Sequence, residues 1–144
     1  IRDRHMTVRF QNQLVRDVTQ VSQAAKVRNI EIVDARAAER FRGDAQEPRA
    51  GLRAGHIPGS HNLPFTDLLN ADRTMKSEAE MRSTFEAVGV DLQKPIITTC
   101  GSGVTAAVLA LALERIGHHS WALYDGSWTE WGQFPTLPIA TGAA

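Results

Sequence analysis

Apolar residues recur along the chain with helical spacing in three places. Leu14, Val18, Val21 and Ala25 stand at i, i+4, i+7 and i+11, one face of an amphipathic helix, with Asn29 as its expected stop. Met81, Phe85 and Val88 repeat the spacing behind Ser77 and Glu80, a pair that satisfies each other's backbone N–H groups at a helix start, and Gly89 ends that helix. Residues 104–116 are apolar almost all the way round and stop at Gly117, which predicts a helix packed into the centre of the molecule. Between these lie runs too short for helices and rich in β-branched residues. Residues 30–33, ending at Asp34, and 95–99 and 120–124 read as buried strands, with 61–65 as a fourth. A short helix capped by Ser127 with Glu130 follows Asp125-Gly126. Residues 40–58 carry Gly, Pro and charge without a sustained period and read as a long surface loop, a feature often tied to function.

Alternating strands and helices predict an α/β fold, a central parallel sheet flanked by helices on both faces. Ligands in such sheets sit beyond the carboxyl ends of the strands, and Cys100 stands at one of those ends. The 144 residues, 42% hydrophobic and 22% charged, fit one compact domain. The polar opening, residues 1–6 with His5-Met6, reads as a tag or linker remnant, leaving 7–144 as a single domain cut from a longer protein. Sixteen basic residues balance sixteen acidic ones, so the balance points to neither nucleic acid nor an anionic membrane surface. No apolar run approaches the ~20 residues of a spanning helix. Five scattered histidines lack metal-ligand spacing, so neither metal nor cofactor is expected. The single cysteine excludes an internal disulfide and a zinc cluster, leaving a buried inert thiol or a reactive one.

The surroundings of Cys100 favour reactivity. Thr99-Cys100-Gly101-Ser102-Gly103-Val104-Thr105 joins a buried strand to an apolar helix, and its two glycines let the backbone curl until several amides point inward. The helix N-terminus that follows adds a partial positive charge of the kind that favours a thiolate.

This loop resembles the active-site loop of the rhodanese superfamily, in the version found in 3-mercaptopyruvate sulfurtransferases. Further stretches are similar: Val33-Asp34-Ala35-Arg36, Arg40-Phe41-Arg42-Gly43, Glu47-Pro48-Arg49, Gly55-His56-Ile57-Pro58-Gly59-Ser60, Asn62-Leu63-Pro64-Phe65 and Tyr124 to Trp131. The resemblance implies a rhodanese-like fold and a cysteine nucleophile, Cys100, that carries sulfur as a persulfide. It implies a substrate or proton contact for Ser102, amide stabilisation from the loop Gly101, Gly103, Val104 and Thr105, and a substrate carboxylate and carbonyl bound by Arg40 and Arg49. Arg42 and Arg53 are further cations of the same loop. The plain alternative for these arginines is solvated surface charge, and for Ser102 a turn residue bonding its own backbone.

A cysteine in an amide-lined loop also suits a phosphatase, but such loops close with an arginine six residues on, and position 106 is alanine. Thiosulfate is the second donor to weigh; its relatives carry basic residues where Gly101 and Ser102 stand, so the neutral loop favours 3-mercaptopyruvate. Without a second cysteine the chain needs an outside acceptor, and the resemblance implies thioredoxin, another thiol or cyanide. It also implies a missing N-terminal rhodanese-like domain that brings the acidic partner of the cysteine, and a cytoplasmic protein, or a mitochondrial one in a eukaryote. A persulfide carrier with little activity of its own remains the non-enzymatic alternative. His56, Trp128, Trp131, Asp34 and Arg36 read as framework residues.

Overall fold

The computed structural model describes residues 7–143; the tag or linker remnant expected at 1–6 lies outside them. Five parallel strands, β1 Val15–Arg16, β2 Glu31–Asp34, β3 His61–Asn62, β4 Ile96–Thr99 and β5 Trp121–Tyr124, form one sheet in the order β1-β5-β4-β2-β3. Five helices surround it: α1 Val18–Val27, α2 Ala38–Arg42, α3 Glu78–Ala87, α4 Ala106–Arg115 and α5 Ser127–Trp131. Successive residues on a strand face opposite sides, and each side has its own core. Val33 and Ile96 pack with Met81 and Phe85 of α3 and Leu109 and Leu113 of α4. Ile32 and Ile97 pack with Val21 of α1 and Trp128 and Trp131 of α5. The expected parallel sheet covered by helices on both faces is therefore present.

Several boundaries differ from the sequence reading. The first helix starts at Val18, not Leu14, because Asp17 caps it. The Asp17 carboxylate accepts from the Gln20 N–H at 2.9 Å and Gln20 Oε1 accepts from the Asp17 N–H at 3.0 Å. Leu14 sits in a single 3-10 turn ahead of β1, and Arg28 in the left-handed region (φ 58°), rather than Asn29, ends the helix. The strand expected at 61–65 is two residues long, and Phe65 opens another 3-10 turn. α2 occupies the start of the expected loop, placing Arg40 and Arg42 on a helix. The central helix begins at Ala106, with Val104 and Thr105 in the turn before it, and it is not apolar-buried all round, since Leu111 is exposed. The Ser77 and Glu80 capping box forms as expected.

Thr98 lies at the centre of the sheet, fully buried, and its hydroxyl has no hydrogen-bond partner. An unpaired buried hydroxyl costs about 1–3 kcal/mol. Thr98→Val, nearly isosteric, is accordingly expected to match or exceed the wild-type stability in urea unfolding, where core substitutions ordinarily destabilise.

His56 is buried, its ring stacked on Phe41 with centroids 3.8 Å apart, and Nδ1 donates to the Phe41 carbonyl at 2.8 Å. Burial is the main influence on this imidazole and holds its pKa below the usual value, against the carbonyl's opposing pull. The folded protein thus keeps the ring neutral while the unfolded chain takes up a proton near pH ~6.5. Stability from this group is complete above that pH and is lost as pH falls towards the lower folded value. Melting between pH 7.5 and 5.5 should drop further in wild type than in His56→Asn, whose amide replaces the Nδ1–H without titrating.

Candidate active site

β2 and β4 are neighbours in register, Asp34 beside Thr99, while the next strands after them, β3 and β5, lie on opposite sides of the pair. Such a point leaves a crevice beyond the carboxyl ends of the strands. A cleft of about 230 Å³ opens there, lined by Cys100, Gly101, Ser102, Val104 and Thr105 of the loop after β4 and by Arg40, Glu47, Pro48, Arg49 and Leu52 from the other side. Every site residue expected from the sequence lines it except Gly103, which is buried beneath.

The loop's shape follows from the start of α5. The Trp128 N–H donates to the Cys100 carbonyl and the Thr129 N–H to the Gly101 carbonyl, both at 2.9 Å, and the Thr129 hydroxyl adds a second bond to Gly101 at 2.6 Å. In a trans peptide the C=O and the following N–H point in opposite directions. Fixing these two carbonyls towards α5 turns the N–H groups of Gly101 and Ser102 to the other side, where they meet no acceptor among the described residues. The Gly103 N–H donates to Cys100 Sγ at 3.1 Å. Gly103 has φ +86°, and a Cβ there would stand 3.0 Å from the Asp125 carbonyl oxygen, so both the turn and the close approach of β5's exit require glycine. Cys100 itself is only 2% exposed; its backbone N–H donates to Ser127 Oγ at 3.2 Å, and that hydroxyl donates to the Tyr124 carbonyl at 2.8 Å. Ser127 is therefore a buckle between β5 and the cysteine, in the left-handed region (φ 51°), rather than the helix cap the sequence implied. Glu130, its expected capping partner, instead accepts from the Tyr124 hydroxyl at 2.7 Å. Burial first, then the Glu130 carboxylate, pushes that hydroxyl's pKa up, keeping it a donor throughout the neutral range.

The arginines divide sharply. Arg53 donates to the carbonyls of Trp131, Gly132, Phe134 and Leu137 behind α5, and Arg42 pairs with Asp44 at the surface, so neither serves the cleft. Arg36 is buried, forked on Asp34 (2.7 Å to Oδ2), bonded to Glu47 at 2.8 Å and to the Gly55 carbonyl, with its guanidinium 4.4 Å from the Trp128 ring centroid. It braces the loop, as its framework reading anticipated. Arg40 is part-exposed and reaches Glu47 at 2.5 Å, and a Cβ at Gly101 would lie 2.9 Å from its Nη2. The bare glycine thus admits a guanidinium against the cysteine loop. Arg49 is exposed at the rim and forms no ion pair among the described residues. Ser102 is exposed on the cleft, and no backbone bond of the turn type holds its hydroxyl among the described residues. Ala106, the first residue of α4, is fully buried and brings no cation to the loop. Sequence reasoning missed Glu47, Ser127 and Thr129 as builders of the site, since their contacts join segments 7 to 28 residues apart. Among the described residues no acidic, histidine and cysteine cluster is placed to hold a metal, and no helix is long and apolar enough to cross a membrane.

Residues 17–134 match the rhodanese-like domain. The chain is 45% identical over 130 residues to the 3-mercaptopyruvate sulfurtransferase of Escherichia coli K12, covering 90% of this chain and 46% of that protein. It is 43% identical over 131 residues to a mitochondrial thiosulfate/3-mercaptopyruvate sulfurtransferase of Arabidopsis thaliana, covering 91% and 35%. Among solved structures, the Escherichia coli 3-mercaptopyruvate sulfotransferase SseA superposes with a TM-score of 0.74 at 41% identity, over 86% of this chain and 45% of that one. The chain thus spans between a third and a half of the length of these relatives. A match over most of the chain, at these identities and on the same fold, makes it a member of the rhodanese-like family.

Proposed function

We propose that this chain is the catalytic unit of a sulfurtransferase that takes sulfur from 3-mercaptopyruvate onto Cys100 and passes it to a thiol. The observation that carries the reading is a convergence in one cleft: a buried cysteine sulfur under a loop with free amides, and an arginine held against that loop without any cation inside it. A donor whose negative charge sits two carbons from its sulfur suits this separation of nucleophile and cation; Arg40 and Arg49 offer planar forks for the carboxylate and carbonyl.

In the reaction a lone pair of the Cys100 thiolate forms the new S–S bond. The C–S pair leaves on carbon as the enolate of pyruvate, which takes up the donor's thiol proton, so the products are the cysteine persulfide and pyruvate. Ser102, which lines the cleft, relays that proton. The N–H groups of Gly101, Ser102 and Gly103 stabilise the charge that builds on sulfur. An outside thiol, of the thioredoxin type or small, then attacks the outer sulfur and restores Cys100. The greater length of the relatives supports a second domain, and it is the family resemblance that gives such a domain the acidic partner of Cys100 and Ser102.

Steady-state formation of pyruvate from 3-mercaptopyruvate and of sulfite from thiosulfate tests the reading, with the chain alone and joined to the proposed second domain. Turnover of 3-mercaptopyruvate well above that of thiosulfate is expected. Thiosulfate as the better donor would reassign the substrate, and sulfur acceptance only from a protein donor would make the chain a carrier.

A further inference from the structure

Glu47 is a carboxylate 2% exposed at its side chain, placed in the wall of a cleft that is proposed to bind an anion. By itself it would repel the donor, so its presence there calls for a role. Its two neighbours supply one. Arg36 Nη1 holds Oε1 at 2.8 Å, and Arg36 is fully committed elsewhere, to Asp34, the Gly55 carbonyl and the Trp128 face. Arg40 meets the same carboxylate with Nε and Nη2: Nε shares Oε1 at 3.4 Å, and Nη2 donates to Oε2 at 2.5 Å. That is the side edge of the guanidinium; Nη1 has no partner among the described residues, and the end-on edge stays open beside Gly101. Asp34, Arg36, Glu47 and Arg40 form an alternating ladder of zero net charge, running from the end of β2 to the cysteine loop.

We propose that Glu47 is a positioning residue that fixes the plane of Arg40, so that its open edge meets the donor's carboxylate while Arg36 cancels the repulsion Glu47 would otherwise exert. The proposal rests on the reading of Arg40 as the carboxylate site. Holding one edge of a guanidinium removes rotamer freedom that substrate binding would otherwise have to freeze.

The test is a titration of the chain with pyruvate, followed by NMR, in wild type, Glu47→Gln, Arg40→Met and the double variant, with the arginine Nε–H signals recorded alongside. Glu47→Gln should raise the dissociation constant roughly tenfold, the scale of a lost charged hydrogen bond, and erase the protected Arg40 Nε–H signal. In the Arg40→Met background it should add nothing, an outcome that a purely structural role would not give. Glu47→Asp, which keeps the charge and shortens the reach by one methylene, carries the same comparison if the glutamine variant is unstable. An equal effect of the Glu47 change in both backgrounds, or a retained Arg40 signal with unchanged affinity, overturns the proposal. Equal pyruvate binding by wild type and Arg40→Met overturns instead the carboxylate reading beneath it, and the Nε–H signal then decides alone whether Glu47 fixes Arg40.

Discussion

Arg36→Ala is expected to destabilise the fold by about 3–5 kcal/mol, the range found when one partner of a buried ion pair is removed. Its guanidinium is 1% exposed and satisfies Asp34, Glu47 and the Gly55 carbonyl at once. Truncation strands the Asp34 carboxylate, itself 1% exposed, leaves buried Glu47 to Arg40 alone, and uncovers the face of Trp128. Urea unfolding of wild type and variant gives the difference directly; a loss under 1 kcal/mol would mean that the ladder is solvated in solution. Arg42→Ala is the natural contrast, because its pair with Asp44 is exposed on both sides and such pairs contribute ~0–1 kcal/mol.

Gly103→Ala should cost the proposed sulfur transfer roughly 10²–10³-fold, the effect of removing one preorganised donor from a charge-stabilising loop. The Gly103 N–H is the donor that reaches Cys100 Sγ, and a Cβ at this φ of +86° would press on the Asp125 carbonyl and side chain at 3.0 and 3.2 Å. The loop must shift, and the amide shifts with it. Gly117→Ala separates the two causes: its φ is +77° but nothing lies within 4 Å of the new methyl. Both variants should lose about 1–2 kcal/mol of stability from the left-handed backbone, while only Gly103→Ala loses sulfur loading. Comparable activity of the two variants would remove Gly103 from the account.

The parts legible in the sequence were those whose cause is local. Strand, Cys-Gly-x-Gly loop and apolar helix follow one another within twenty residues, so the placing of Cys100 at a strand end needed no tertiary information. Ser77 and Glu80 announce α3 for the same reason. Asp17 and Gln20 carry an equally clear capping signal, but Leu14, at helical spacing from Val18, drew the expected start of α1 four residues too early. Two-residue strands such as β1 leave no period to detect, and α2 has one buried apolar residue, Phe41, and no side-chain cap. The four arginines of the 40–58 segment look alike in composition. What separates them is burial and partner: Arg53 on carbonyls some 80 residues away, Arg40 on Glu47 and beside Gly101. Ser127 looked like a cap because it precedes a glutamate by three residues; its actual partners, the Cys100 amide and the Tyr124 carbonyl, are set by the pairing of β4 with β5.

The most direct test of the central claim is the intact mass of the chain before and after 3-mercaptopyruvate, with Cys100→Ser treated alongside. Cys100 is the only cysteine, so a persulfide has one place to form. The account predicts a gain of one sulfur (~32 Da), reversed by a reducing thiol, matched by pyruvate in the solution and absent from the variant. A gain that persists in Cys100→Ser, or pyruvate released without any sulfur on the protein, would contradict it.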